Sequence, residues 1–261
     1  MIEKALLVTE NTNLSRSLEW IDRLYFGDQY CEHNHLALFA NREYLDFVRS
    51  AGLPLTLTTP PVSEKWLPQV FEGIIEFADR DTLEVVVNDY GVFARLLQLA
   101  HPNIKIIWGN FLSGQNKDPY LDLFKDKSTH EHITIDNAYF AKIFAKHSIS
   151  AYELYHVFQG VKIETLWEKR HLYAPYVVYS LTRYCVPALL SQGRDYLTIV
   201  ENCPGCASII GEDLAMELKI GEEKVANIYR WNRQFYHNPR PIPDTKYSRI
   251  IDNSDLACTK A

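Results

Sequence analysis

The sequence has little excess charge and no long apolar run, and each shortage excludes a class of protein. Its formal net charge is −6 over 261 residues, so it lacks the basic surplus with which nucleic-acid-binding proteins neutralise phosphates. No apolar stretch approaches the length of a transmembrane helix, and the amino terminus, MIEKALLVTENTN, lacks the apolar core of a secretory signal. We therefore expect a cytoplasmic protein with no membrane partner and no nucleic-acid partner.

Cysteine is also scarce. Five cysteines in a chain of this size, without an export signal, are too few for a disulfide framework and are typical of thiols in a reducing compartment. Metal ligation, redox chemistry and packing in the core are the roles that such thiols take.

Three functional motifs are missing. The first predicted strand continues as ALLVTENTN where a dinucleotide-binding sheet would have GxGxxG. There is no GxSxG, and the His130-Glu-His132 segment lacks the HExxH spacing that puts two imidazoles on one helical face. We therefore do not expect peptidase activity.

What the chain does have is an alternation of short apolar runs with longer amphipathic ones, the pattern of repeated βα units. Its composition, 47% hydrophobic and 23% charged, suits a full globular core. We predict an α/β protein with a (β/α)8-type, TIM-like barrel, regular or distorted, and a C-terminal cysteine-bearing lobe. The predicted strands are Ala5–Thr9, Arg23–Phe26, Leu55–Thr58, Leu83–Val87, Lys105–Trp108, His132–Ile135, Tyr152–Val157 and Tyr176–Leu181. The predicted helices include Arg42–Ala51, Glu64–Ala78 and Gly91–Ala100.

The pattern divides the chain into a barrel at 1–185 and a lobe with a C-terminal segment at 186–261, within one structural domain. We predict a strand at Tyr196–Val200 and irregular structure at Tyr229–Ile251, and we interpret Asn253–Ala261 as a frayed end. Lys162–Ala174 is interpreted as a charged, exposed insertion.

The strongest local motif is Cys203-Pro-Gly-Cys206, in which two thiolates can face one metal or cluster without strain. Cys185 lies shortly before it, and Cys31 follows the second strand, where a barrel would bring it to the same face. The four thiols suit an iron–sulfur cluster, zinc, a redox pair at Cys203 and Cys206, or simple burial. Cys258, in the polar tail, is interpreted as a packing residue.

Polar residues at predicted strand ends are further candidates, because a barrel keeps its chemistry at that face. Catalytic roles are predicted for Asp89, Asn110 and Arg183, although Asn88 and Asp89 also suit a loop or a helix cap, and Arg183 also suits a salt bridge. The remaining candidates are Asp28, His156, His33 and His35. His33 and His35 could complete a Cys/His metal site or form a surface pair, and His156 could be a core histidine.

Four segments together resemble the collagenase-like family of U-class peptidases, in particular its anaerobic ubiquinone-hydroxylation members. The segments are LYFGDQYC at Leu24–Cys31, VVVNDYGV at Val85–Val92, YSLTRYC at Tyr179–Cys185 and ENCPGC at Glu201–Cys206. They follow the family's order over roughly residues 20–210.

The resemblance implies a [4Fe–4S] cluster on Cys31, Cys185, Cys203 and Cys206. It also implies oxygen-independent hydroxylation of a small or aromatic substrate, a related partner subunit, and prephenate as an oxygen donor. Two departures indicate a different substrate pocket. Gln159-Gly160 stands where many members have His-Gly, and an extra residue separates Arg183 from Cys185. The alternative is a non-catalytic partner subunit with a structural cluster or zinc site.

Overall fold

The computed structural model describes residues 2–126, 130–166, 168–181, 214–230, 233–243 and 247–257. Within them lie twelve strands: β1 (Glu3–Val8), β2 (Arg23–Phe26), β3 (Leu55–Thr58), β4 (Leu83–Val87), β5 (Ile104–Trp108), β6 (Ala151–Tyr155), β7 (Lys169–Ala174), β8 (Tyr176–Leu181), β9 (Leu214–Ile220), β10 (Glu223–Arg230), β11 (Arg233–His237) and β12 (Arg249–Asp252). The helices are α1 (Glu32–Ala40), α2 (Arg42–Ser50), α3 (Leu67–Ala78), α4 (Tyr90–Leu99) and α5 (Ala138–Lys146), with 3-10 turns at Pro119–Leu123 and Ser254–Ala257.

Eight of these strands form a closed parallel barrel in the order β1-β12-β7-β6-β5-β4-β3-β2, which confirms the predicted fold class. The other four form an antiparallel sheet in the order β8-β11-β10-β9, inserted in the chain between the seventh and eighth barrel strands. We call it the small sheet. The barrel therefore does not end at residue 185 but closes with β12.

Two predicted barrel strands were wrong. His132–Ile135 forms only an isolated bridge from Ile133 to Gln115. Its apolar alternation reflects the burial of Ile133 and Ile135 beneath the surrounding helices, not sheet pairing. Tyr176–Leu181 is a strand, but it pairs with β11 in the small sheet.

The two barrel strands that the prediction missed are β7 and β12. β7 lies within Lys162–Ala174, so the latter half of that segment is no exposed insertion, and β12 lies where irregular structure was expected. Both strands direct polar side chains into the barrel, among them His171 and Arg249, which are 2% and 4% exposed. A search for alternating apolar residues could not find these two strands, because part of the barrel interior that they line is polar.

The C-terminal prediction needs a similar correction. Asn253 is fully buried, and its side chain accepts a hydrogen bond from the backbone N–H of Tyr176 at 2.9 Å and donates one to the Tyr176 carbonyl at 2.8 Å. Leu256 is 1% exposed. Residues 253–257 are therefore fixed against the barrel, whereas 258–261 and the predicted strand Tyr196–Val200 lie outside the described residues.

The core has two parts, one on each side of the barrel wall. Outward-facing strand residues such as Leu6, Phe26 and Trp108 pack against the helices. Inward-facing residues such as Leu7, Tyr155 and Tyr173 fill the barrel and contact the small sheet. Alternation along each strand therefore serves two buried layers, as expected of a barrel with helices around it.

The barrel interior at the amino ends of the strands holds a network of paired charges, which we call the amino-terminal mouth. Arg249 donates from Nε to Glu3 at 2.6 Å, from Nη1 and Nη2 to Glu84 at 2.6 and 3.2 Å, and from Nη1 to the Tyr25 hydroxyl at 2.8 Å. Arg23 donates to Glu3 at 2.7 Å. Burial raises the pKa of Glu84, but Arg249 and Arg23 outweigh burial and lower it to about 2.

Candidate functional site

The loop after β2 is fixed by the buried carboxylate of Asp28. It accepts hydrogen bonds from the backbone N–H groups of Tyr30 at 2.6 Å and Cys31 at 3.1 Å, and from the side chain of Asn34 at 2.6 Å. Gly27, with φ +106°, makes the turn possible, since a Cβ there would lie 2.5 Å from the Thr58 carbonyl oxygen. The loop therefore holds Cys31 at the N-cap of α1, where the helix dipole favours a thiolate.

Arg233 of β11 links the small sheet to this loop. Its side chain is 1% exposed and lies 3.2 Å from Glu10 and 3.5 Å from Asp28, with the guanidinium 4.6 Å above the Tyr30 ring. Burial lowers the pKa of Arg233, but Asp28, Glu10, Tyr30 and Cys31 raise it by more, so the net effect is a raised pKa. The guanidinium is therefore a permanent positive charge in the electrostatic range of Cys31.

A chain of buried hydrogen bonds crosses the carboxyl end of the barrel. Asn110 donates to Gln29 at 2.7 Å, Gln29 donates to the Tyr30 hydroxyl at 2.7 Å, and that hydroxyl lies 2.8 Å from the hydroxyl of Tyr155. Burial raises the pKa of both tyrosines, so their hydroxyls keep their protons. The Asn110 Oδ1 atom is buried and has no hydrogen-bond partner among the described residues.

Lys117, in the loop after β5, completes this end of the barrel. Its Nζ atom lies 5.0 Å from the ring centroids of both Phe111 and Tyr155. We call the set Cys31, Tyr30, Asn110, Lys117, Tyr155 and Arg233 the carboxyl-terminal mouth. Asn110 and Cys31 are its members that the sequence predicted.

Asn88 and Asp89, in contrast, make the contacts of a structural turn. The Asp89 carboxylate accepts from the backbone N–H groups of Gly91 at 2.7 Å and Val92 at 3.1 Å, which caps α4. Asn88 is buried and bridges two loops, since it donates to the Thr59 carbonyl at 3.0 Å and accepts from the Phe111 N–H at 3.1 Å.

The histidine candidates are separated from one another. His35 is 1% exposed and stacks on Phe39, so it is not part of a surface pair, and burial lowers its pKa to about 4. His33 lies edge-on to the Trp66 ring. His156 is 8% exposed and lines a side cavity of about 410 Å³, and burial together with Arg240 lowers its pKa. Across the described ranges, no three Cys, His, Asp or Glu residues cluster as metal ligands do.

Cys185, Cys203, Cys206, Cys258 and Arg183 lie outside the described residues. The described chain stops at Leu181 and resumes at Leu214, and the sheet register locates both of these ends. Leu181 pairs with Arg233, Arg233 pairs with Arg230, and Leu214 pairs with Tyr229, the neighbour of Arg230. Leu181 and Leu214, the described residues that flank 182–213, therefore both lie at the end of the small sheet that carries Arg233.

Sequence reasoning missed Arg233, Lys117, Tyr30 and Tyr155. Tyr155 was detectable, because it lies on the inward side of a predicted strand that ends at this face. Lys117 and Arg233 occupy segments without periodicity, and their roles depend on contacts with distant strands.

None of the helices in the described ranges is long and apolar enough to cross a membrane. Comparisons with known protein families, with curated proteins and with solved structures found no match to this chain.

Proposed function

We propose that this chain is an iron–sulfur barrel protein that acts in oxygen-independent modification, by hydroxylation, of a small or aromatic substrate. The [4Fe–4S] cluster would be held by Cys31, Cys185, Cys203 and Cys206 at the carboxyl-terminal mouth. The proposal rests on the family resemblance, and one structural observation carries it. Leu181 and Leu214, the described residues on either side of 182–213, lie at the end of the small sheet whose Arg233 contacts the Cys31 loop.

Chain length supports this geometry. Cys185 is four residues beyond Leu181, and an extended chain of four residues spans at most about 14 Å. Leu181 is paired with Arg233, whose guanidinium lies 3.5 Å from Asp28, the residue that binds the Cys31 N–H. A cysteine four residues past that point is within reach of Cys31.

The chain length at the other end of the segment 182–213 also suits the proposal. Leu214 lies on β9, two strands from β11, which is about 10 Å at the usual strand spacing. Cys206 is eight residues before Leu214, and such a stretch spans at most about 28 Å. The chain lengths on both sides of 182–213 are therefore compatible with the proposal that these thiols bind one cluster.

The charges at this mouth suit a thiolate-bound group. A cluster on four thiolates is anionic, and Arg233 is a buried cation already influenced by Cys31. When bound, the cluster supplies an electron-transfer or Lewis-acid centre. The protein would contribute Arg233 to balance its charge, and the Asn110 Oδ1 and the Tyr30–Tyr155 hydroxyls to orient a polar substrate.

The first experiment is anaerobic purification with a visible spectrum and iron, sulfide and zinc analysis. We expect a brown protein with about four irons per chain, bleached in Cys31→Ala and unchanged in the matched Cys258→Ala control. Stoichiometric zinc in a colourless protein would overturn the cluster and favour a structural metal. Equal colour in wild type and Cys31→Ala would remove Cys31 from the ligand set.

The substrate half of the proposal needs its own test. Prephenate binding to the anaerobic protein, measured by titration calorimetry, should be lost in Asn110→Leu while the visible spectrum is retained. No binding to the wild type would contradict prephenate as the oxygen donor without touching the cluster assignment. Loss of colour in Asn110→Leu would instead indicate that Asn110 supports the metal site.

A further inference from the structure

Lys117 differs from Arg233, Arg249 and Glu84, the other charged side chains compared at the two mouths, in having no charged partner among the described residues. Arg233, Arg249 and Glu84 are each held by opposite charges. For Lys117, no ion pair or hydrogen bond of Nζ occurs within the described part of the chain. Two aromatic rings take the place of a counter-ion, with their centroids 5.0 Å from Nζ.

The aromatic surroundings of Nζ have a chemical consequence. The side chain as a whole is half-buried, but its amine lies against the rings of Phe111 and Tyr155, which attract an ammonium without replacing its lost hydration. Burial lowers the pKa of Lys117 to about 8 and is the sole cause of the shift. Near neutral pH a sizeable fraction of this amine is therefore unprotonated, which is the nucleophilic form.

The neighbouring titratable groups do not oppose this state. Asp118, in the same loop, caps the 3-10 turn by accepting from the Tyr120 N–H at 2.9 Å. Tyr155, from β6, keeps its proton because burial raises its pKa. Its hydroxyl is therefore neutral and provides no counter-charge for the amine.

We propose that Lys117 is a carbonyl-reactive amine, which forms an imine with a small aldehyde or ketone at the carboxyl-terminal mouth. The flanking rings favour a carbonyl compound with a flat apolar or aromatic part. The assignment does not depend on the iron–sulfur proposal, since no cysteine takes part. It adds a covalent binding site to a face where barrels keep their catalytic groups.

The chemistry is balanced without any oxidant. The Nζ lone pair forms a bond to the carbonyl carbon while the carbonyl π pair moves to oxygen, which takes a proton. The nitrogen of this adduct loses one proton to give the neutral carbinolamine. The nitrogen lone pair then forms the C=N bond as the C–O bond breaks, and the hydroxyl takes up a proton and leaves as water. The iminium nitrogen finally loses its proton, so that amine and carbonyl give imine and water. Hydrolysis reverses every step and restores the lysine.

The test is reductive trapping on the full-length protein. Benzaldehyde with sodium cyanoborohydride converts an imine into a stable benzylamine, and peptide mass spectrometry locates it. At pH 7.5 we expect Lys117 to be labelled at least about tenfold faster than the exposed Lys105 and Lys146, because burial lowers the pKa of Lys117 to about 8 and leaves part of its amine unprotonated. A rate equal to that of Lys105 would overturn the proposal.

The pH dependence of Lys117 labelling is a second test, because a purely structural role of Lys117 would not shift the labelling midpoint. Labelling of Lys117 should rise with a midpoint near pH 8. A Lys117 midpoint near that of Lys105 would contradict the proposal even if Lys117→Arg fails to fold. In a folded Lys117→Arg protein the fast-labelled site should vanish while the other lysines keep their rates.

A cysteine variant separates this inference from the iron–sulfur proposal. Cys31→Ala should keep the fast labelling of Lys117 even where it loses the visible spectrum. Fast labelling in a colourless wild type would leave the imine site in place without a cluster. Loss of fast labelling in Cys31→Ala would show that the reactivity depends on the Cys31 site, and would overturn the independent assignment.

Discussion

The two mouths of the barrel differ in how their charges are compensated. At the amino-terminal mouth, Arg249 and Arg23 are shared between Glu3 and Glu84 in short ion pairs. At the carboxyl-terminal mouth, Arg233 is paired with Glu10 and Asp28. Among the residues described, however, the Lys117 amine has aromatic rings in place of a charged partner, and Asn110 Oδ1 has no hydrogen-bond partner.

A fully paired network needs nothing from outside the protein, whereas uncompensated groups can bind a ligand or react with one. Burying a polar group without a partner costs free energy, so such groups persist mainly where function requires them. The comparison therefore associates the amino-terminal mouth with stability and agrees with the proposal that the carboxyl-terminal mouth, where barrels keep their catalytic groups, is the functional one.

The largest effect should come from breaking the paired end. Arg249→Met leaves the half-buried Glu84 with the Thr56 hydroxyl at 2.9 Å and one cation, Arg23, 3.6 Å away. It should lower the free energy of unfolding by about 3 kcal/mol. Urea denaturation measures it. The matched control is Arg80→Met, which removes an exposed pair with Glu76 and should cost less than about 1 kcal/mol. If both variants lost the same free energy of unfolding, the ion-pair network at the amino-terminal mouth would have no special role in stability.

The next effect concerns Glu153, which is fully buried between the two mouths and has no hydrogen bond of ordinary geometry to any described residue. Burial raises its pKa from 4.5 to about 8. Between these values the folded protein holds a proton that the unfolded chain has lost, so wild-type stability falls as pH rises through this window. Glu153→Gln removes the titrating group and should gain stability over the wild type by up to roughly 1.4 kcal/mol per pH unit.

Urea midpoints of Glu153→Gln and wild type at pH 5, 6.5 and 8 test this expectation. The difference should be near zero at pH 5 and largest at pH 8. A constant difference across the range would mean that Glu153 is ionised in the folded protein throughout.

A smaller effect should show that some polar residues at the carboxyl face have structural roles. Asp89→Ala removes the cap of α4 and should cost about 1 kcal/mol, with no change in the visible spectrum or in Lys117 labelling. Asp89→Asn should restore most of the loss, because asparagine caps equally well. A spectral or labelling change in a folded Asp89→Asn protein would return Asp89 to the catalytic set.

The smallest effect should have the opposite sign. Lys117→Met replaces a desolvated, unpartnered amine with an apolar side chain and should raise the free energy of unfolding by about 0.5 kcal/mol. Lys105→Met, on the exposed side of the other mouth, should change it by even less. A clear loss of stability in Lys117→Met would mean that the lysine supports the fold, and the contrast between the mouths would weaken.

The candidate site was partly predictable because strand order brings certain loops to one face. Asp28, Asn110 and His156 were predicted at strand ends, and each lies after its strand in the structure. The sequence allowed a helix cap at Asp89 as an alternative to catalysis, and the structure shows that cap. The sequence could not identify the partners of Asn88, Thr59 and Phe111, because they lie in loops after other strands.

The sequence by itself determined the barrel class and its first six strands, because outward-facing apolar residues repeat along each strand and fill the layer beneath the helices. The tertiary structure alone decided that β7 and β12 close the barrel, since their inward faces carry charged and polar groups that are stable there only when paired with distant residues. It also decided that Arg233 meets the Cys31 loop and that Lys117 lies between two rings. Such contacts join residues far apart in the chain, and a local pattern contains no information about them.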